Sequence, residues 1–177
     1  MHVRKGELIM NIEQDMEKVA LQEKRLQFKQ FNAETAWTIG SALKAAAEKR
    51  HVAVAIDIQM NGHTLFSFSM AGTTPDNWDW IRRKRNVVLR FRRSSYALRL
   101  KDELAESTSG EKMDLDEREF APHGGCFPLF IAGTGCVGTI TVSGLPGRED
   151  HGLIVSVLQD FLQLQGEDLA LEPESAA

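Results

Sequence analysis

Two hairpin signals constrain this chain more than anything else in its sequence. Residues 52–58 (VAVAIDI) are apolar almost throughout and rich in β-branched side chains, as a central strand requires. Asn61-Gly62 follows, the dipeptide best suited to a two-residue turn, and then Phe66, Phe68 and Met70 alternate with Ser67 and Ser69. The pattern repeats later: residues 127–132 and 136–143 read as strands joined at Gly133-Thr134-Gly135. Strands joined this way are antiparallel, and no strand–helix–strand alternation separates them, so a doubly wound parallel sheet is excluded.

The remaining segments read as helices that must cover this sheet. Asn11 with Gln14 forms a capping-box pattern, predicting a helix to about residue 30 with Ile12, Met16, Val19 and Leu26 on one side. Asn32 is placed to cap a second helix. Ala36, Gly40, Leu43 and Ala47 share one small face of it, with Trp37 beside them, so another backbone can approach closely. Thr74-Pro75 opens a third helix, with Trp80, Lys84, Val87 and Phe91 as its buried stripe. Residues 96–106 continue as helix after a break at Ser94-Ser95. Residues 107–119 are polar and linker-like, with Asp114 and Glu117 able to cap one turn, and Asp150 is placed to cap a last helix to about residue 165. The expected fold class is α+β, a profilin-like or PAS-like antiparallel sheet of four or five strands backed by helices.

The length of 177 residues suits one domain. The boundaries expected are an N-terminal extension over 1–9, a single domain over 10–166 and an acidic, disordered tail over 167–177. No apolar run approaches the roughly 20 residues a membrane-spanning helix needs, and the first residues have no secretory h-region. The sequence therefore points to a cytoplasmic protein with no membrane partner, in which Cys126 and Cys136 stay reduced. In the expected hairpin register Cys136 faces Ala132 and Cys126 faces Val142, too far apart along the ladder to bridge.

Charge is unevenly spread. The net charge is −4, yet residues 82–101 hold nine Lys/Arg and no acid, leaving 12 basic and 25 acidic residues elsewhere. A phosphate or nucleic-acid surface is one reading of this basic helix. The other is a solvated face that pairs with acids of the same chain or a neighbour, Glu13, Asp15, Glu17 and Glu23 among them. Trp80 and Phe91 fall on the apolar stripe and the rest of the chain is acidic, so the second reading is favoured and nucleic acid is not.

No catalytic signature names a reaction. The five histidines have no zinc-like spacing, Ser143 lacks a nucleophile elbow, and no Gly-rich phosphate loop follows a strand. His123 stands out because it precedes Gly124-Gly125 at a strand entry. Glycines let backbone approach a ligand, and a neutral imidazole there can ligate a metal or move a proton. Against this, a glycine pair also makes a tight bend with no ligand at all.

Gly124-Gly125-Cys-Phe-Pro128, residues 138–144 (GTITVSG) and Asp150 before the last helix resemble the GlcG-like and HbpS-like "haem-degrading domain" superfamily. Trp80-Ile-Arg-Arg-Lys84 with Arg90-Phe91 and Ser94-Ser95 is similar to its stand-alone, UPF-type branch. The resemblance covers roughly residues 12–165. It implies a profilin-like fold, assembly as a homo-oligomer, and haem as a candidate ligand. The pocket expected from these residues lies between Gly124-Gly125, Ser143-Gly144 and the third helix near Trp78. His123 would be the axial ligand if haem binds, and Arg82 would favour an anionic ligand. Two further readings stay open, a haem-degrading activity and an adaptor role toward a protein partner. The small face of the second helix and the charge asymmetry are the grounds for self-association.

Overall fold

A computed structural model describes residues 2–108 and 113–172. The elements run α1 (His2–Arg25), α2 (Ala33–Lys49), β1 (Ala55–Met60), β2 (His63–Ser69), α3 (Pro75–Phe91), α4 (Ser95–Thr108), β3 (Cys126–Ile131), β4 (Gly135–Ser143) and α5 (Gly147–Phe161). This is the α+β order that the hairpin signals predict. One four-stranded antiparallel sheet has the order β2-β1-β4-β3, so the second hairpin pairs with the first through its β4 strand.

α2 and α5 cover one face of the sheet, where Ile56, Ile58, Phe127, Leu129, Ile140 and Val142 meet Ile39, Leu43, Leu153 and Leu158 in the main core. The opposite face is covered by α3 and is more polar, carrying Asp57, Thr139, Thr141 and Ser143. A second, smaller core forms between α1 and α4 from Ile12, Val19, Tyr96, Leu98 and Leu100, with Val87 of α3.

Local signals act where the sequence placed them for α2 and α3. Asn32 caps α2, its Oδ1 accepting from Thr35 N at 2.9 Å, and Thr74 with Pro75 opens α3 through a capping box to Asn77. Elsewhere tertiary context wins. α1 begins at His2, so Asn11 lies inside the helix rather than at its cap, and α1 ends at Arg25. The turn after the linker is held by Asp116, not Asp114, since Asp116 accepts from Arg118 N, Glu119 N and Phe120 N. Cys136 faces Phe130 because the turn pairs Ile131 with Gly135, and after a one-residue bulge at Leu129/Phe130 Cys126 faces Thr141 rather than Val142; both cysteines are unbridged.

Two expectations change for a clear reason. The small face of α2 is filled by its own chain. A Cβ on Gly40 would lie 2.4 Å from the Phe66 ring, and Ala36, Leu43 and Ala47 are buried against the same core. That face therefore offers nothing to a second copy. The segment after α5, expected to be disordered from residue 167, docks along α1 through residue 172. Leu169 is 1% exposed, Gln22 Nε2 donates to Leu169 O at 2.7 Å, and Asp168 and Glu167 pair with Lys18 and Arg25. Residues 173–177 of the expected tail lie outside the described residues.

Candidate functional site

The loop ahead of β3 is where the sequence concentrated its candidates, and the structure divides that loop in two. On its inner side, Gly124 lies against the first turn of α5, where a Cβ would fall 2.0 Å from Gly147 O. Gly125 has φ +116° and would put a Cβ 2.6 Å from both Lys84 Nζ and Val142 O. Only glycine meets both demands, the positive φ and the missing side chain. Beneath it Lys84, on the stripe of α3 that the sequence assigns to the interior, donates to Asp150 Oδ2 at 2.9 Å and to Val142 O at 3.3 Å. Asp150 is 0% exposed and its Oδ1 accepts from Leu145 N at 3.0 Å. α5 starts four residues earlier than expected, with Pro146 at its cap position, so Asp150 is not the cap. It is the counter-charge of a buried lysine. Burial pushes its carboxyl up to about 6 against the pull of Lys84.

The next residue, His151, is also fully buried. Its ring lies 5.0 Å from Tyr96 and 5.9 Å from Phe127. Gln22 Nε2 is engaged by Leu169 O, so Gln22 Oε1 accepts from His151 Nε2 at 2.7 Å and Nδ1 is left as an acceptor with no hydrogen-bond partner among the described residues. Desolvation, helped by Arg148, drives this imidazole down to about 3, so it is neutral.

On its outer side the loop faces a cavity of ≈ 520 Å³, well within the range of small-molecule sites. Its walls are α1 (Leu8, Asn11, Ile12, Gln14, Asp15), α4 (Tyr96, Arg99, Leu100, Glu103), His123-Gly124, and the first turn of α5 (Gly147, Arg148), with Glu172 at the rim. His123 is held by packing. Its ring stands edge-on to Trp80 at 5.3 Å, and Arg83 stacks on the same indole at 4.2 Å. Neither ring nitrogen has a hydrogen-bond partner among the described residues. Desolvation first, then Arg99, Lys84 and Arg83, lowers its pKa, so at neutral pH it presents a neutral imidazole to the cavity. Opposite, Arg148 pairs with Asp15, donates to Tyr96 Oη at 2.9 Å and reaches Glu172 O at 2.5 Å. Burial raises the Tyr96 phenol, so it stays protonated and donates to Asp15 at 3.2 Å. Arg99 pairs with Glu103 at 2.6 Å.

Of the residues singled out from sequence, His123 and Gly124 line this cavity and Gly125 lies behind it. The others lie elsewhere. Ser143 is buried beside Asn77, and Gly144 turns against Ala53 O, where a Cβ would sit 2.3 Å away. Trp78 donates to Ser69 Oγ at 2.7 Å. Arg82 is engaged by Asp79, Glu119 and Arg118 O. Much of the basic segment is paired within the chain: Arg83 with Asp79, Arg85 with Asp57, Arg93 with Glu23 of α1. Sequence reasoning missed Tyr96, Arg99, Arg148 and Asp15, which come from three helices far apart in the chain. It also missed the Lys84–Asp150 pair, though a lysine on an apolar stripe is itself a signal that a buried acid must answer it.

Among the described residues no cluster of three or more His, Cys, Asp or Glu is arranged to hold a metal ion, and no helix is long and apolar enough to cross a membrane.

Comparison with known proteins places the chain. A UPF0303 protein of Azotobacter vinelandii (strain DJ) is 52% identical over 163 residues, covering 92% of this chain and 98% of its own. The crystal structure of Ybr137w protein superposes with a TM-score of 0.74 at 31% identity, over 86% of this chain and 90% of that one. The structure of a PduOC:heme complex shares the fold at a TM-score of 0.61 and 13% identity, over 72% of this chain and 92% of its own. The family model for "Haem degrading protein HbpS-like" matches residues 31–159, which takes in the loop, α4 and most of α5 but not α1. The chain belongs to this HbpS-like haem-degrading protein family.

Proposed function

We propose that this protein binds a small organic ligand in the cavity between α1, α4 and the His123-Gly124 loop, and that it works as a homo-oligomer. One observation carries the ligand reading. A neutral imidazole with no hydrogen-bond partner among the described residues faces a cavity of ≈ 520 Å³ whose lining includes two arginines, a phenol and the carboxylates that hold them, with Asn11 and Gln14. The apolar part of the lining, Leu8, Ile12 and Leu100, would take the body of the ligand and Arg99 and Arg148 its acidic groups.

The same residues favour haem as a second reading. A neutral histidine is the commonest proximal ligand of haem iron, and two arginines suit two carboxylates. When bound, haem would supply a redox-active iron; His123 would hold it, and Leu8 and Ile12 would exclude water. The family's name and the neighbouring heme complex support this reading. Each arginine already has a carboxylate, Asp15 or Glu103, so a bound acid must displace or share it.

Haemin titration of the full chain, followed by absorption, separates the readings. A saturable Soret shift that His123→Ala abolishes and His51→Ala leaves intact supports haem. A featureless titration rejects haem, and a thermal-shift screen of aromatic carboxylates and phosphate esters then tests the broader reading. If no compound stabilises the wild type, the cavity is not a ligand site.

A further inference from the structure

The sheet has two outer strands, and only one is guarded. β3 carries Pro128, which has no N–H to offer, and its outer edge is covered by the segment after α1. There Phe28 N donates to Phe130 O, and Ala132 N donates to Phe28 O, both at 2.8 Å. β2 pairs with β1 on one side, and among the described residues no segment pairs with the other. Free edges are ordinarily blunted by lysine, proline, inward charge or a covering loop. From Thr64 to Ser69 β2 has no charged residue and no proline. Aromatic surface gathers beside it. Trp37 on α2 is 65% exposed and stands 5.9 Å from the Phe66 ring, and Phe68 is 37% exposed.

We propose that the outer edge of β2 is where a second copy of this chain docks, its own β2 pairing antiparallel about a two-fold axis at Ser67. This names the surface for the self-association proposed above and rests on that reading. Two identical strands related by a two-fold must run antiparallel, and residues directly opposite then share a face. Centring on Ser67 sets Phe66 of each copy opposite Phe68 of the other, on the side where Trp37 lies, and Leu65 opposite Ser69 on the other side. Aromatic cross-strand pairs of this kind stabilise a sheet. Charge selects the occupant. The strand carries no formal charge from Thr64 to Ser69, and Lys44 of α2, which lies over the Phe68 ring, is answered by Glu48 of its own helix, so two copies bring no unanswered like charges together, whereas an acidic or basic partner would find no counter-charge on the strand. The two four-stranded sheets would become one continuous sheet, and both edges of each chain would then be covered.

The test uses the full chain. The wild type should show a light-scattering mass of at least twice 19.8 kDa. Ser67→Lys places an ammonium on the edge strand at an exposed position, so the fold tolerates the change. Its mass should fall at least twofold, with the circular dichroism spectrum and Tm retained. Ser67→Cys, combined with Cys136→Ser and leaving only the buried Cys126, should form an inter-chain disulfide under mild oxidation, since directly paired residues lie within bridging distance. An assembled wild type whose mass survives Ser67→Lys, with no Ser67→Cys cross-link, overturns this surface and leaves self-association standing. A single-chain mass at 100 µM overturns both.

Discussion

The two sides of one loop do different things with the same kind of residue. Behind Gly125, charge is buried and answered. Lys84 and Asp150 are almost completely excluded from water and each has further backbone partners. In front of it, charge is paired but wet. Arg99 with Glu103 and Arg148 with Asp15 keep part of their surface at the cavity, and His123 has no hydrogen-bond partner among the described residues. Glycine serves the first side, letting backbone close over the ion pair. The histidine serves the second. The lesson is that a Gly-Gly pair beside a candidate ligand is evidence about packing first.

The largest test of this contrast is to break the buried pair. Asp150→Ala leaves the Lys84 ammonium buried without its counter-charge, and should cost about 3–5 kcal/mol of stability. Replacing both partners, Lys84→Met with Asp150→Leu, removes the charge altogether and should recover most of that loss. Urea unfolding of the three proteins reads the difference directly. Equal losses in the single and double variants would mean that packing rather than charge dominates.

Gly125→Ala comes next. The backbone conformation alone costs an L-residue about 1–3 kcal/mol, and the added methyl meets Val142 O, which cannot move without opening β4. The unfolding midpoint should fall accordingly. A neutral substitution would show that the loop can retreat from the ion pair.

A smaller effect per step lies in pH. His151 is neutral in the folded state, with its pKa lowered to about 3, whereas an exposed histidine titrates near 6.5. The unfolded chain therefore binds the proton that the folded chain refuses. Stability is fully present above about pH 6.5 and falls below it, by up to about 1.4 kcal/mol per pH unit, until the folded value is reached. Asp150 works in the opposite sense. Its carboxyl is raised to about 6, so between there and its ordinary 3.8 the folded state takes up the proton first and gains stability as pH falls. Comparing wild type with His151→Leu between pH 7 and pH 5 isolates the histidine, and the variant should lose less stability on acidification. Parallel curves would refute the assignment.

Much of this fold was legible because local and global signals agree in it. Asn61-Gly62 sits at a tight turn, Thr74-Pro75 opens a helix, and the alternation of Phe66 and Phe68 with serines sets a face. The failures share a physical cause. Asn11 has capping chemistry, but α1 is held by packing on α4 and continues past it. Asp150 likewise reads as a cap, yet Lys84, 66 positions earlier in the chain, claims it. The small face of α2 invites close approach, and Phe66 of the same chain makes it. The cavity was the least legible part. Asp15, Tyr96, Arg99 and Arg148 meet only because α1, α4 and α5 converge, and no spacing in the sequence records that. His123 was visible because chemistry and the adjacent glycines marked it together.

The smallest effect on stability should come from His123→Ala, and it is the sharpest test of the outer side of the loop. The ring is half-buried and makes an edge contact with Trp80 but no hydrogen bond, so its removal should shift the urea midpoint by no more than about 1 kcal/mol. Any bound haemin or organic acid, in contrast, should be lost or weakened at least tenfold. Because burial and the nearby cations hold this imidazole neutral below the usual histidine range, binding through its nitrogen should also persist to more acidic pH than an exposed histidine would allow. A variant that unfolds easily but still binds would place His123 with Gly125, on the packing side of the loop, and move the search for the ligand to Arg99 and Arg148.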